Sequence, residues 1–347
     1  MVSPESNPNP TKTGAFLQFV AVSAVAGIVA AGLAIPGVGV ATASANSAVE
    51  IFNSLPATLE IQDLGEKSTM LASDGSEIAE FYWQNRVEVP LDEISDHMQD
   101  ATIAVEDYRY FEHGGVDIEG IARAAVHNMV SSTTQGGSTL TQQYVKNVLA
   151  ENAHAEQDRE GVEAAKESEG TAGYARKLRE AKLAVAVEKK YDKKDILNRY
   201  MNINNYSGSP NAYGVQAAAH KYWGIDAKDL NIPQSAMLAG IVQNPSAFNP
   251  QRFPDQVKKR RNTVLGQMLK YDHITQKEYD KAVKTDLDLD LHETPNGCSA
   301  AKSQAEFFCD YVENVIKNDE TFGDTVDERI AFLQRGGLTI KTSLNPD

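Results

Sequence analysis

The sequence predicts a mainly α-helical protein with a short β-hairpin and an N-terminal transmembrane helix. Apolar residues recur at helical spacing along most of the chain beyond residue 92. The Asp74-Gly75 pair lies between two short strand-like runs, which is typical of a hairpin turn. An uncharged stretch rich in Ala, Val and Gly extends from residue 15 to about residue 45 and is long enough to cross a bilayer as a helix.

The N-terminal region comes first in the chain. Residues 1–14 are polar and are predicted to form a cytoplasmic tail, residues 15–45 a transmembrane signal-anchor, and residues 46–65 a linker. Lys12 supplies a weak positive-inside signal. Ala41-Thr42-Ala43 also fits a small-residue cleavage site, so a cleaved signal peptide is the alternative. Both interpretations place the remainder of the chain outside the cytoplasm.

The elements after residue 66 follow from local patterns. Residues 69–72 and 78–82 are predicted to form the hairpin, and a helix is expected over residues 92–107. Asp117 is suited to cap a second helix that runs through Val130. Residues 151–172 are acidic and poor in apolar side chains, which predicts a mobile excursion between two helices. Residues 336–342 are expected to form a strand.

A helix that starts after Gly136-Gly137 carries the first candidate site residues. Thr139 followed by Gln142 fits a capping box, and a helix N-terminus offers free N–H groups that suit an anion. Lys146 lies one turn beyond Gln142 on the same face. The alternative is a capped surface helix with a solvated lysine.

A second charged motif is formed by Arg176, Lys177 and Glu180, which fall on one helix face. A different stripe, consisting of Leu178, Ala181 and Val185, is expected to face the core. Taken alone, Arg176 and Glu180 could be a surface ion pair worth a few tenths of a kcal/mol.

Composition excludes some functions. The net charge of −15 argues against nucleic acid as a partner, and it makes clustered basic residues noteworthy. The chain has two cysteines, Cys298 and Cys309, and no Cys/His spacing typical of zinc.

Two long motifs together resemble a known family. The motifs are Glu106-Asp107-x-x-Tyr110-x-x-His113-x-Gly115 and Gly136-Gly137-Ser138-Thr139-x-Thr141-Gln142-Gln143-x-x-Lys146-Asn147. They are similar to those of family 51 peptidoglycan glycosyltransferases, the N-terminal catalytic domains of class A penicillin-binding proteins, here of an actinobacterial type. Arg176-Lys177-x-x-Glu180, residues 194–202 and residues 236–245 continue the likeness, which covers roughly residues 66–270. The stretch 204–208 departs from the family's usual aromatic-Gly turn.

The resemblance implies a lysozyme-like, mainly helical glycosyltransferase fold with a membrane-facing lobe. It also implies that lipid II is polymerised into β-1,4 glycan with inversion at C1 and release of polyprenyl pyrophosphate. Glu106 would be the general base, and Lys146, Arg176, Lys177 and Glu180 would lie at the pyrophosphate. Glu106 and Glu180 would be the catalytic residues, Glu180 either orienting the cations or assisting departure of the pyrophosphate directly or through a metal. The other substrate-binding positions would be Asp107, His113, Gly115, Gly137, Ser138, Thr139, Gln142, Gln143 and Asn147.

The resemblance implies no cofactor and no resident metal, although it leaves room for a divalent cation near the pyrophosphate. The expected partners are lipid II, the growing glycan strand, the cell membrane and other cell-wall synthesis proteins. A single-pass membrane protein with an extracytoplasmic catalytic domain is expected. A lysozyme-like hydrolase and a non-catalytic membrane scaffold remain as alternatives; the three cations argue against the first, and the presence of Glu106 and Glu180 against the second.

The predicted glycosyltransferase domain covers residues 66–270, and residues 271–347 would be a linker toward an absent transpeptidase domain. Ser299-Ala300-Ala301-Lys302 matches the first transpeptidase motif, and we interpret this as a chance match because nothing downstream completes the set. In an extracytoplasmic domain Cys298 and Cys309 are expected to form a disulfide, with two free buried thiols as the alternative.

Overall fold

The computed structural model describes residues 55–56, 58–130, 136–156, 158–167, 170–207, 212–302 and 304–345. The predicted cytoplasmic tail and signal-anchor, residues 1–45, lie outside these ranges, as do the cleavage-site residues. Among the helices that are described, none combines the length and the apolar character needed to span a bilayer.

The described part of the chain is mainly helical with one small sheet, as the sequence predicts. The strands are β1 (Ser68–Leu71), β2 (Glu77–Phe81) and β3 (Thr339–Lys341). The helices are α1 (Asp96–Glu106), α2 (Ile118–Val130), α3 (Leu140–Ala155), α4 (Arg159–Lys166), α5 (Gly170–Lys190), α6 (Lys193–Ile203), α7 (Val215–Trp223), α8 (Ile232–Ile241), α9 (Pro254–Lys270), α10 (Gln276–Ala282), α11 (Glu306–Asn318) and α12 (Val326–Arg335).

The sheet has the order β2-β1-β3. Strands β1 and β2 form the predicted antiparallel hairpin, in which Gly75 adopts a φ of +87° and Asp74 Oδ1 accepts the Ser76 N–H at 2.9 Å. The predicted C-terminal strand is also present as β3. Its partner was not predictable: β3 pairs in parallel with β1, with Thr69 opposite Thr339.

A large helical core occupies the middle of the chain. Helices α1, α8 and α9 pack against one another, and α3 packs on α5 and α6. Met98, Leu140, Leu197, Leu238 and Leu265 are among its fully buried side chains. These packing contacts fix the position of the C-terminal end of α1 relative to the start of α3, where the two long sequence motifs lie.

Helix α5 differs from the sequence prediction in the face that it buries. The prediction placed Val185 toward the core, yet its side chain is 40% exposed. Leu183, Ala184 and Val187 are buried instead, together with Glu180. The buried stripe is therefore rotated about the helix axis, and it carries an acidic residue.

A second, smaller cluster joins the hairpin to the C-terminal region. Met70, Ile78 and Phe81 of the hairpin pack with Cys309 of α11 and Leu333 of α12. The hairpin thus belongs to the same packed unit as residues 298–344, although more than 200 residues separate the two segments.

The expected excursion at residues 151–172 is largely helical, so that prediction is wrong for most of the segment. Helix α3 continues to Ala155, and α4 follows at Arg159–Lys166. Glu151 is buried, and it binds Arg335 of α12 at 2.9 Å and the Gln84 amide at 3.0 Å. Arg86, also buried, lies 3.7 Å from the same carboxylate. Glu151, one of the acidic residues of this segment, therefore belongs to a buried ion-pair network.

Cys298 and Cys309 form the predicted disulfide, with a Cα–Cα distance of 5.3 Å and a sequence separation of 11. The bond ties the turn at residues 298–300 to α11.

Replacing Cys298 and Cys309 together by Ser should lower the free energy of unfolding by about 3 kcal/mol, because a short closed loop is released in the unfolded chain. Mass spectrometry of the unreduced protein should find neither thiol alkylated, and both alkylated after reduction. Alkylation of both without reductant would refute the bridge.

Candidate active site

A cleft of about 310 Å³ brings the two long motifs and the Arg176 motif together. It lies between the end of α1, the start of α3, the middle of α5 and the end of α8. Nine predicted site residues line it: Glu106, Ser138, Gln142, Gln143, Lys146, Asn147, Arg176, Lys177 and Glu180. Asn204, Val242 and Gln243 line it as well and were not predicted.

Glu106 is the last residue of α1 and presents its carboxylate to this cleft. The Gln143 side-chain N–H donates to Glu106 Oε2 at 2.7 Å. Burial raises the pKa of Glu106, while the Gln143 hydrogen bond and the charge of Arg260 act in the opposite direction. Such a carboxylate is a stronger base than an ordinary glutamate and is still held in a defined orientation.

Asp107 and His113 lie beside the cleft and connect it to α3. Asp107 Oδ1 contacts His113 Nε2 at 2.8 Å, and its Oδ2 accepts the Leu140 backbone N–H at 3.0 Å. Asp107 thereby satisfies one of the free N–H groups at the start of α3. Both residues fix the loop that follows Glu106 against this helix, and neither lines the cleft.

The start of α3 is built as the sequence predicts. Thr139 and Gln142 form a complete capping box, in which Thr139 Oγ1 accepts from Gln142 N and Gln142 Oε1 accepts from Thr139 N. Thr139 Oγ1 also contacts the Gly115 carbonyl oxygen at 2.8 Å. These contacts place Gln143 and Lys146 on the face of α3 that looks into the cleft.

The two predicted glycines serve close packing. A Cβ at Gly115 would lie 2.5 Å from the Ala184 backbone carbon of α5, a distance that no side chain tolerates. A Cβ at Gly137 would lie 3.3 Å from the Ile121 Cα of α2. Neither lines the cleft, and both let the backbone around it pack tightly.

The cationic side of the cleft is formed by Lys146, Arg176 and Lys177. Desolvation by the surrounding protein lowers the pKa of Lys146, and the charges of Arg176 and Lys177 lower it further. Burial raises the pKa of Glu180, against the opposing effect of Arg176 and Lys146. Three cations therefore share one acidic neighbour, which leaves a local excess of positive charge suited to an anionic ligand.

Arg176 is bound on two sides. Its Nη1 donates to Glu180 Oε1, and its Nε donates to the backbone carbonyl oxygen of Glu167, just after α4. The side chains of Arg176 and Glu180 are only 12% and 7% exposed, so this is not the weak surface pair considered from sequence. The pair fixes the guanidinium at the edge of the cleft.

The side chains of the cleft do not form a divalent-cation site on their own, because Glu180, the carboxylate among the three cations, is already bound by Arg176. A cation near the pyrophosphate would take most of its oxygen ligands from the phosphates, and it stays a prediction. Within the described residues, the grouping of potential metal ligands, Cys298, Asp310 and Glu313, lies in the second cluster, and the Cys298 sulfur is in the disulfide.

Two residues near Glu106 were missed from sequence. The Tyr200 hydroxyl donates to Gln143 Oε1 at 3.0 Å, behind the Glu106 contact. Arg260 of α9 packs on Gly240, donates to its carbonyl oxygen at 3.3 Å and places its charge near Glu106. Both residues lie at positions with the helical spacing of core residues, which predicts that they pack in the core. That spacing does not indicate which partner the polar end of each side chain contacts. For Arg260, two adjacent arginines in an acidic chain, Arg260-Arg261, were the sequence feature that could have indicated a functional role.

A family model described as Transglycosylase matches residues 74–269, more than half of the chain. Penicillin-binding protein 1F of Bacillus subtilis is 32% identical over 283 residues, 81% of this chain and 35% of the relative. Penicillin-binding protein 1A of Mycobacterium tuberculosis is 31% identical over 282 residues, 80% of this chain and 31% of the relative. The chain thus spans about a third of the length of these relatives.

Among solved structures, the crystal structure of penicillin-binding protein 1A from Haemophilus influenzae is similar at a TM-score of 0.40. Its sequence identity is 19%, and the match covers 75% of this chain and 26% of that one. Identity to the mycobacterial relative is no higher than to that from Bacillus. The actinobacterial type inferred from sequence therefore stays a prediction, as do the domain boundaries at residues 66 and 270.

Proposed function

The chain belongs to the transglycosylase family, and from this premise we propose that it is a peptidoglycan glycosyltransferase that polymerises lipid II. The substrate is a disaccharide-pentapeptide carried on polyprenyl pyrophosphate. The GlcNAc 4-hydroxyl of one lipid II attacks C1 of the MurNAc at the lipid-linked end of the growing glycan. One displacement forms the β-1,4 bond, inverts C1 and releases polyprenyl pyrophosphate. The proposed fold for this activity is lysozyme-like.

The observation that carries the proposal is the shared cleft of Glu106 and the three cations. Inverting transfer from a sugar pyrophosphate needs a base for the attacking hydroxyl and positive charge for the leaving group. Hydrolysis of a finished glycan needs no pyrophosphate site, and a scaffold needs neither group. The cleft therefore favours the transferase over both alternatives.

Glu106 is the proposed general base. A sugar hydroxyl is a poor nucleophile near neutral pH, so its proton must be removed as the new bond forms. The pKa of Glu106 is raised by burial, which makes its carboxylate a better proton acceptor. The 2.7 Å contact with the Gln143 amide holds one carboxylate oxygen, and the other oxygen is available for the hydroxyl.

Lys146, Arg176 and Lys177 are proposed to bind the pyrophosphate of the donor. Negative charge gathers on that group as the C1–O bond breaks, and fixed cations nearby lower the cost of this charge. Arg176 has its Nη2 hydrogens and the second Nη1 hydrogen left for phosphate oxygens, since Nε and one Nη1 hydrogen are already donated, whereas each lysine acts as a point charge. Glu180 is proposed to act through Arg176, whose orientation it sets.

The remaining predicted roles stay proposals of the same kind. Ser138, Gln142 and Asn147 line the cleft and are proposed to contact substrate, while Asp107, His113, Thr139 and the glycines act by holding its walls. A membrane anchor that keeps the catalytic domain outside the cytoplasm would suit a lipid-linked substrate. Interaction with other cell-wall synthesis proteins is a further proposal.

The experiment that tests the function uses the full chain with fluorescent lipid II in detergent or vesicles. We expect a ladder of glycan polymer and release of polyprenyl pyrophosphate. Parallel incubation with preformed glycan separates the alternatives, since a hydrolase would shorten it and a scaffold would change neither substrate. Absence of polymer under conditions where a control glycosyltransferase is active would reject the proposal.

A further inference from the structure

Glu106 is the end of a chain of hydrogen bonds that passes out of the cleft into the core. Its Oε2 receives the Gln143 side-chain N–H at 2.7 Å, and Gln143 Oε1 receives the Tyr200 hydroxyl at 3.0 Å. The three residues come from α1, α3 and α6, and the Tyr200 side chain is only 1% exposed. These two hydrogen bonds therefore connect three helices, and the end at Tyr200 is shielded from solvent.

The direction of this chain matters because a glutamine amide has two unlike ends. An N–H facing the Glu106 carboxylate stabilises its charge, whereas a carbonyl oxygen facing it would repel that charge. At Gln143, the carbonyl end is engaged by the Tyr200 hydroxyl, which leaves the N–H end for Glu106.

Asn204 lies beside the inner end of this chain of hydrogen bonds. Its Oδ1 accepts the Asn147 side-chain N–H at 2.6 Å, and its own amide nitrogen is buried without a hydrogen-bond partner among the described residues. Burial raises the pKa of Tyr200, so its hydroxyl keeps its proton near neutral pH. That proton is donated to Gln143 Oε1 at 3.0 Å.

We propose that Tyr200 is a positioning residue whose hydroxyl fixes the Gln143 amide with its N–H toward the Glu106 carboxylate. The inference rests on the proposed role of Glu106 as general base. Tyr200 touches no substrate in this scheme. It acts through Gln143, and its loss would free the amide to turn its carbonyl oxygen toward Glu106, which favours the protonated acid.

The charged and polar groups that face Glu106 come from several elements. Asp107 follows it in the chain and raises its pKa, while Gln143 of α3 and Arg260 of α9 lower it. A Tyr200→Phe change leaves Asp107 and Arg260 in place and removes the constraint on Gln143 alone. The pKa of Glu106 should then rise further, so more of the base is protonated at a given acidic pH.

The test measures kcat/KM for lipid II polymerisation against pH in wild type and Tyr200→Phe. The acid limb, where activity falls as Glu106 takes up a proton, should move to higher pH in the variant. On that limb we expect kcat/KM of the variant to be roughly 10-fold below that of wild type. At higher pH, where Glu106 is deprotonated in both proteins, the difference should be less than about 3-fold. Loss of packing alone would lower activity equally at every pH.

Tyr222→Phe is the matched control, since its buried hydroxyl donates to the Tyr206 backbone oxygen at 3.0 Å and has no link to Gln143. It should leave the acid limb unmoved. Gln143→Leu should move the limb as Tyr200→Phe does, and the double variant should move it no further, because the two act in series. An unmoved limb in Tyr200→Phe, or an additive double variant, would overturn the inference.

A readout without turnover separates this inference from the proposed function. Infrared difference spectra against Glu106→Gln report the protonated carboxyl band of Glu106 directly. That band should persist to higher pH in Tyr200→Phe than in wild type even if no polymer forms. Identical titration of the band in both proteins would overturn the positioning role, whatever the assay with lipid II shows.

Discussion

A Glu106→Gln variant is expected to lose at least about 100-fold of the polymerisation rate, because a general base contributes roughly 10²- to 10⁴-fold. Glutamine keeps the size of the side chain and can still accept the Gln143 N–H through its own carbonyl oxygen. It cannot take a proton from the acceptor sugar. Binding of lipid II should persist, since Lys146, Arg176 and Lys177 are untouched.

The measurement pairs initial rates on fluorescent lipid II with a direct binding assay. Glu112→Gln is the matched control: it makes the same change on the same loop, where the side chain is exposed. That control should polymerise at the wild-type rate. Near-normal turnover by Glu106→Gln would eliminate this residue as the base while leaving the cationic site intact as a separate question.

The second large effect concerns the cations. Lys146→Ala should reduce kcat more than it weakens binding of lipid II, because the lysine acts on charge that develops only as pyrophosphate leaves. Arg176→Lys keeps the charge and loses the planar fork, so it should also lower turnover. The Arg176–Glu180 pair is largely buried, and a melting curve must accompany each variant to separate lost folding from lost chemistry.

Running these variants on two substrates distinguishes a transferase from a hydrolase. A hydrolase would release sugars from preformed glycan, which carries no pyrophosphate, and would be insensitive to Lys146→Ala. Lys189→Ala serves as a control, because it removes an exposed lysine near the end of α5. Glycan cleavage that survives Lys146→Ala, with no polymer from either protein, would overturn the transferase proposal.

Local patterns predicted those parts of the structure that are decided locally. The Thr139–Gln142 capping box and the turn at Gly75 need only residues three or four apart in sequence. Helix periodicity placed Gln142 with Lys146, and Arg176 with Glu180, on common faces, whereas their meeting in one cleft was implied only by the family resemblance. The hairpin was predictable for the same reason, since its strands adjoin the turn.

Residues whose environment is set by distant segments were misjudged. Glu151 looked like part of a solvated acidic stretch, but its partner Arg335 is 184 residues away. Tyr200 looked like a packing residue, because spacing along α6 reports the position of the ring and not the partner of its hydroxyl. The prediction that Val185 faces the core was wrong for a related reason. Small and apolar residues occur on both faces of α5, so the pattern did not specify which face the core would cover.

The parallel pairing of β3 with β1 bears on the order in which the protein folds. Ser68 and Leu338 are joined by a hydrogen bond across 270 residues of sequence, so this contact of β1 can form only after residue 338 has emerged during synthesis. The helical core needs only residues up to about 289 and can close earlier. Closing so long a loop is slow unless intervening structure already shortens it. We expect the completed helical core to do this, so that the pairing of β3 with β1 forms after that core.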